Sequence, residues 1–482
     1  MVKDKNLSVL CVASECFPLI KTGGLADVVG ALPLALEKTG LKVTVFLPGF
    51  PSVLAGLTRK RTLAKIDAGG KPCKLITGKT ETGLSIIAFD APHFFDIEGN
   101  PYLDTAGNDL HNNGEKFAAF SRIAAQLAMG TVGRKKYDVL QAHDWQAGLS
   151  AAYLKASGDS HVKTVLTIHN LAFQGLFPKS LMGALDLPSS FYRNEGFEYW
   201  DKISFLKAGI AYSDHITTVS PTYALEIQSD DGGMGFGGML RAKANRLSGI
   251  LNGIDMDVWN PETDPEIKPN YSASKPAGKV KNKLTLQRAL KLREDASAPL
   301  FTVISRLTTQ KGLDLLASMT DSIVAKGGQL ALLGAGDAAI ETAFTAAAKK
   351  HPTEISVTIG YDEPFAHRLQ AGADAIFIPS RFEPCGLTQL CAMRYGTVPI
   401  VGRVGGLNDT VIDASPMALA SGAATGVQFS PINGHMLYSA ITRAFELYTN
   451  TEQWNNLVAN CLNQDVGWES SAADYRDLYN SL

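Results

Sequence analysis

Short, near-continuous apolar runs recur along the chain. In the first half they are LSVLCVASE from Leu7, VTVFLPG from Val43, LSIIAFDAP from Leu84, DVLQAHDW from Asp138, TVLTIHN from Thr164 and ITTVSP from Ile216. Beyond the midpoint come LFTVISRL from Leu300, QLALLGAG from Gln329, ISVTIGY from Ile355, AIFIPS from Ala375 and VPIVGRVGG from Val398. They do not alternate apolar with polar, so they predict strands covered on both faces, as in parallel sheets. Helical stretches such as FAAFSRIAAQLA and IETAFTAAAKKH lie between them. Strand and helix in alternation predict an α/β fold with doubly wound sheets. The run from Asn252 to Ala298 breaks the rhythm with Pro261, Pro265, Pro269 and Pro276. Its start reads as a boundary, which divides the chain into domains of 1–250 and 251–482. After Gln428 no strand is expected, and the tail reads as mostly helical.

Composition narrows the class. A chain of 482 residues with 45% hydrophobic and 19% charged residues is globular and long enough for two large domains. The 45 basic and 47 acidic residues give a net charge of −2, which argues against a dedicated surface for nucleic acid or anionic membrane. The apolar stretch Leu7–Ser14 ends at Glu15 with no small-residue cleavage site, so it reads as a buried strand rather than a signal peptide. No window approaches the run of about 18 apolar residues that a spanning helix needs. Six cysteines without C-x-x-C spacing read as reduced thiols, and the expected location is the cytoplasm.

Candidate chemistry gathers where strands end. Lys21-Thr22-Gly23-Gly24-Leu25-Ala26-Asp27 follows the first strand, and Gly405-Gly406-Leu407-Asn408-Asp409 follows a late one in a matching pattern. Each is either a tight strand–helix turn or a cradle whose helix N-terminus favours phosphate. Ser305–Gly312 carries Arg306 and Lys311, two cations able to clamp a diphosphate or simply to face water. Pro379–Gln389 places Glu383 ahead of Cys385, Gly386, Leu387 and Thr388, a carboxylate beside N–H groups at a helix start. Cys385 reads as a small buried residue, since no base stands near it in sequence. His143-Asp144-Trp145 and His169-Asn170 close two strands that are expected to share a crevice, and their spacing is not that of a metal site. Gly334-Ala335-Gly336 has the form of a dinucleotide fingerprint but does not open its sheet. Asp255-Met256-Asp257 reads as a turn rather than a cation site.

Taken together these segments resemble the bacterial glycogen synthases, retaining glycosyltransferases of family 5 that are related to plant starch synthases. The matching stretches are KTGGLADVVGALP, HDWQAG, TIHNLAFQG, NGIDMDVWNP, SRLTTQKG, SRFEPCGLTQL and GGLNDTV, in the family's order. The resemblance implies a GT-B fold, two Rossmann-like doubly wound domains facing a deep cleft, with the last helix, about 468–482, crossing back to the first domain. It implies transfer of glucose from ADP-glucose to the non-reducing end of an α-1,4-glucan such as glycogen, with no cofactor and no metal. By the same resemblance Lys21 contacts the nucleotide diphosphate, with Glu15, Gly23, Gly24 and Asp27 shaping that wall. Arg306 and Lys311 clamp the phosphates, joined by Thr388 and the helix start at Gly405 and Gly406. Glu383 and the N–H groups of Cys385, Gly386 and Leu387 hold glucose hydroxyls. His169, Asn170 and Asp144 sit near the sugar, Asn252 at the hinge side and Tyr361 against adenine. Cys391 stands where related retaining enzymes carry a second Glu, and Thr309 where this family commonly has Trp. Two other readings stay open, a glucan phosphorylase-like enzyme and a catalytically silent sensor of sugar nucleotide or glucan.

Overall fold

The computed structural model describes residues 6–97, 99–104 and 106–482. The apolar runs become strands, and the chain divides into two units, one ending at Asn252 and joined by Trp468–Leu482, the other Gly253–Gly467.

In the first unit the strands are β1 (Ser8–Val12), β2 (Lys42–Pro48), β3 (Thr58–Ala68), β4 (Lys71–Lys79), β5 (Ser85–Asp90), β6 (Val139–His143) and β7 (Lys163–Ile168). They are followed by β8 (Leu176–Pro178), β9 (Glu198–Tyr199), β10 (Lys202–Ser204), β11 (His215–Thr218) and β12 (Leu247–Gly249). The main sheet runs β12-β11-β7-β6-β1-β2-β5-β4-β3, and β8-β10-β9 form a small sheet of their own. From β12 to β5 every pairing is parallel, whereas β4 is antiparallel to both β5 and β3. β1 and β6 are buried almost throughout, as doubly covered strands must be. The closing helix Glu469–Ser481 packs on the helix Gly24–Lys38 and buries Tyr475 and Tyr479. Tyr479 donates its hydroxyl proton to Gln141 Oε1 at 2.7 Å, and Gln141 passes the chain of hydrogen bonds to Thr167 and Thr217.

The second unit holds β13 (Leu300–Ile304), β14 (Gln329–Gly334), β15 (Ile355–Ile359), β16 (Ala375–Ile378), β17 (Val398–Gly402) and β18 (Val427–Phe429). Their order is β15-β14-β13-β16-β17-β18, all parallel. That is the Rossmann order, with the topological switch between β13 and β16. In the first unit the equivalent switch lies between β1 and β6. The helix Ala338–Lys350 shows how an apolar stripe is used: it buries Ile340, Phe344 and Ala347 beneath an Asp337 N-cap.

Several elements depart from the sequence expectation. β18 lies across Gln428, beyond which no strand was expected, and Pro-rich 252–298 contains the helix Ala277–Ala289, packed on the helix Glu363–Gly372. Gly334 and Gly336 are packing glycines: a Cβ there would stand 2.0 Å from the Ser305 carbonyl oxygen and 2.5 Å from that of Leu307. Asp255 closes a turn, accepting from the Asp257 and Val258 N–H groups. Among the described residues no helix is long and apolar enough to cross a membrane.

Candidate active site

Ligands of open α/β sheets bind beyond the strand carboxyl ends at the switch point. In the second unit the two loops at that point are Ser305–Gly312 after β13 and Pro379–Leu387 after β16. They are bound together. Lys311 Nζ lies 2.5 Å from Glu383 Oε2, which also accepts from Ser380 Oγ at 2.9 Å. Gln310 donates to the Phe382 carbonyl, and its own carbonyl receives the Arg381 N–H. Arg381 forks onto both oxygens of Asp314 at 2.6 and 2.8 Å. Arg306 stays exposed, with no side-chain partner among the described residues.

The loop from Glu383 onward is held from beneath. Gln389, fully buried, donates to the carbonyls of Cys385 and Gly386 and to Thr410 Oγ1. The Gly406 N–H donates to the carbonyls of Glu383 and Pro384, each at 3.1 Å. Gly405 has φ 42°, and a Cβ there would stand 1.9 Å from the Glu383 carbonyl oxygen. The glycine pair therefore lets two backbones touch. The Gly406 N–H is thereby engaged within the protein. Cys391, which stands where related enzymes carry a second Glu, is buried in the core. Thr388 opens the helix Thr388–Arg394, and Tyr361 is exposed beyond β15, its hydroxyl bonded to Glu363.

In the first unit Glu15 is buried and accepts from Thr22 Oγ1 at 2.6 Å, Tyr102 Oη at 2.6 Å, and the N–H groups of Thr22 and Gly23. Its carboxylate organises the Lys21–Gly24 turn from below. Lys21 pairs with Asp27 at 2.8 Å, in the first turn of the following helix. Asp144 begins the helix after β6 with φ 54°, a left-handed value a short polar residue tolerates, and its Oδ1 accepts the His169 N–H at 2.7 Å. Burial pushes its carboxyl up to about 7, against the backbone N–H groups of His169 and Asn170, which pull it down. His143 and His169 do share a crevice, with Nδ1 and Nε2 2.8 Å apart. Burial lowers His169 to about 4 and His143 well below its usual range, so both rings are neutral. Asn170 accepts from the Ala172 N–H, and Asn252 ends the unit with a buried Oδ1 that has no partner among the described residues. No group of three or more His, Cys, Asp or Glu placed to hold a metal ion occurs among the described residues.

Two family descriptions cover most of the chain: "Starch synthase catalytic domain" over residues 8–242 and "Glycosyl transferases group 1" over 288–458. A glycogen synthase of Rhodopseudomonas palustris is 51% identical over 478 residues, covering 99% of both chains. The chain belongs to the glycogen synthase family. A glycogen synthase of Methylocella silvestris is 50% identical, again over 99% of each chain. Among solved structures, the catalytic domain of Arabidopsis thaliana starch synthase IV, bound to ADP and acarbose, superposes with a TM-score of 0.90 at 33% identity over 99% of each chain. Sucrose-phosphate synthase from Thermosynechococcus elongatus, at 17% identity and a TM-score of 0.60, shares the fold alone. The chain is thus a GT-B glycosyltransferase and a glycogen synthase by kinship, which implies a sugar-nucleotide donor and a glucan acceptor.

Sequence reasoning reached most of the residues that line these glycogen synthase loops. It missed their supports. Tyr102 stands in a stretch with no periodicity, and Ser380, Arg381 and Gln389 lay inside a quoted motif without an assigned role. Asp314 reads in the sequence only as part of a helix start, because its partner is 67 residues away.

Proposed function

We propose that the enzyme transfers glucose from ADP-glucose to the non-reducing end of an α-1,4-glucan with retention of configuration, using neither metal nor cofactor. The observation that carries this reading is the Lys311–Glu383 contact at the switch point of the second unit. It puts a cation and a hydroxyl-accepting carboxylate side by side, which is what a glycosyl diphosphate presents partners for. Glycosyl transfer builds positive charge on the sugar ring and negative charge on the departing diphosphate. Arg306, Lys311 and Lys21 oppose the second charge, a duty that a divalent ion performs elsewhere. Glu383 accepts from glucose hydroxyls, with the N–H groups of Cys385, Gly386 and Leu387 donating beside it. Thr388 contacts the diphosphate, Tyr361 the adenine, and His169, Asp144, Asn170 and Asn252 the sugar side. Glu15, Gly23, Gly24 and Asp27 hold Lys21 in place; Gly405 and Gly406 hold the Glu383 loop. No carboxylate is assigned as covalent nucleophile. The acceptor attacks from the face the diphosphate leaves, and the leaving phosphate takes its proton. The ADP of the Arabidopsis relative supports an adenine nucleotide. Six buried thiols support a cytoplasmic setting.

Transfer of labelled glucose to glycogen, from ADP-glucose and UDP-glucose in parallel, tests the reading. ADP-glucose should be the faster donor, and activity should persist in excess EDTA. Glu383→Gln should lower kcat by about 100-fold or more, since its hydroxyl contacts strengthen in the transition state. Equal rates from both donors, or loss on chelation restored by Mg²⁺ or Mn²⁺, would remove the corresponding part of the proposal. No transfer from either donor would favour a silent sensor.

A further inference from the structure

His143 has no part in the reaction just described, yet it is fully buried at the switch point of the first unit. It joins two other side chains in a line. Cys11 Sγ, on β1, lies 3.2 Å from His143 Nε2, at the end of neighbouring β6. His143 Nδ1 lies 2.8 Å from His169 Nε2, just past the end of β7. The remaining ring nitrogen, His169 Nδ1, has no partner among the described residues. Cys11 is 2% exposed, so no water competes for the thiol end of the line.

We propose that Cys11 and His143 are positioning residues that fix the tautomer of His169, so that its Nδ1 carries the proton and acts as a hydrogen-bond donor to the bound sugar. The sugar half of this rests on the function proposed above; the tautomer half does not.

The polarity follows from counting protons. Burial keeps both imidazoles neutral, so each ring carries one N–H. Only one proton can lie between His143 Nδ1 and His169 Nε2. Two arrangements satisfy that. In one, the Cys11 S–H donates to His143 Nε2, His143 Nδ1–H donates to His169 Nε2, and His169 keeps its proton on Nδ1. In the other every bond reverses, and His143 Nε2–H points at the sulfur of a neutral thiol. Burial raises the Cys11 thiol far above its usual range, so its proton stays available. A thiol sulfur is a weak acceptor, while an imidazole nitrogen is a strong one. The reversed line leaves a buried N–H poorly satisfied, and such a group is costly. The first arrangement prevails. His169 is then a fixed donor and not a general base.

The test uses the full-length chain labelled with ¹⁵N-histidine. Long-range ¹H–¹⁵N spectra report which ring nitrogen is protonated, and a His169→Gln sample assigns the resonance. The wild type should show His169 protonated at Nδ1, a measurement that needs no variant to fold. Cys11→Ser, which keeps a donor, should show the same. Cys11→Val, which offers neither donor nor acceptor, leaves His143 Nε2 unsatisfied in either arrangement, so His169 should populate both tautomers and kcat should fall about 2-fold, with the donor KM within 2-fold of wild type. A wild-type His169 protonated at Nε2, or a Cys11→Val sample still protonated wholly at Nδ1, would overturn the assignment whatever the enzyme's activity. Mixed tautomers with unchanged kcat would overturn the sugar contact alone.

Discussion

At the scale of single residues, the most informative group is Asp144. Burial outweighs two backbone N–H donors and lifts its carboxyl to about 7. The folded protein therefore holds a proton there that the unfolded chain has released by about pH 4. The sign is fixed by linkage: between pH 4 and 7 the native state binds more protons than the unfolded one, so this group's contribution to stability is full below that window and is lost as pH rises through it. Asp144→Asn keeps an acceptor for the His169 N–H and removes the titration. Its melting temperature should nearly match wild type at pH 4.5 and exceed it by several degrees at pH 8. Parallel melting curves across that range would contradict the burial argument. His169 has the opposite slope, since its lowered value contributes stability above its unfolded range that is lost as pH falls towards 4. The comparison must therefore be made against wild type at each pH.

At the scale of elements, the critical contact is the one between the Glu383 loop and the start of the helix Gly405–Thr410. Any side chain at 405 meets the Glu383 carbonyl oxygen at 1.9 Å and must also adopt a left-handed backbone. Gly405→Ala should destabilise the second unit by about 2–4 kcal/mol, combining overpacking with backbone strain. It should also lower kcat at least 10-fold, because the carboxylate of Glu383 moves with its backbone. A variant with wild-type activity and melting would show that the loop has slack the packing denies. The strands flanking this loop were legible in the sequence as unbroken apolar runs. The β3–β4 hairpin was not, because β3 is largely exposed and β4 mixes exposed with buried positions, and an edge hairpin solvated on one side carries no continuous apolar signature. The short strands β8 to β10 were likewise invisible, being two or three residues long.

At the scale of the whole molecule, the last helix belongs to the same unit as the first strand, through contacts that span most of the chain. Tyr479 and Gln141 are 338 residues apart. Tyr479→Phe leaves Gln141 Oε1 buried without its donor, at a cost of about 1–3 kcal/mol. Amide hydrogen exchange in β6 and β7 should then quicken by about 5-fold or more, while β13 to β17 should be unchanged. Equal acceleration in both units would mean that they do not unfold separately.

The sequence by itself determined the repeated strand–helix rhythm, the parallel pairing of the second unit's sheet and of most of the first unit's, and the family, because burial on both faces and the backbone needs of glycine turns are written in local residue order. It also named Lys21, Arg306, Lys311, Glu383 and His169 as chemically apt. Only the tertiary structure decided which of these residues meet. The strand order β13-β16 and β1-β6 brings together loops 70 to 130 residues apart, pairs Lys311 with Glu383, and lines up Cys11, His143 and His169. It also showed that the Gly406 N–H and the Glu15 carboxylate are engaged within the protein. Burial patterns are periodic and local, so a chain displays them along its length. Hydrogen-bond partners across a sheet depend on the order in which strands pair, and neighbouring residues carry no record of that.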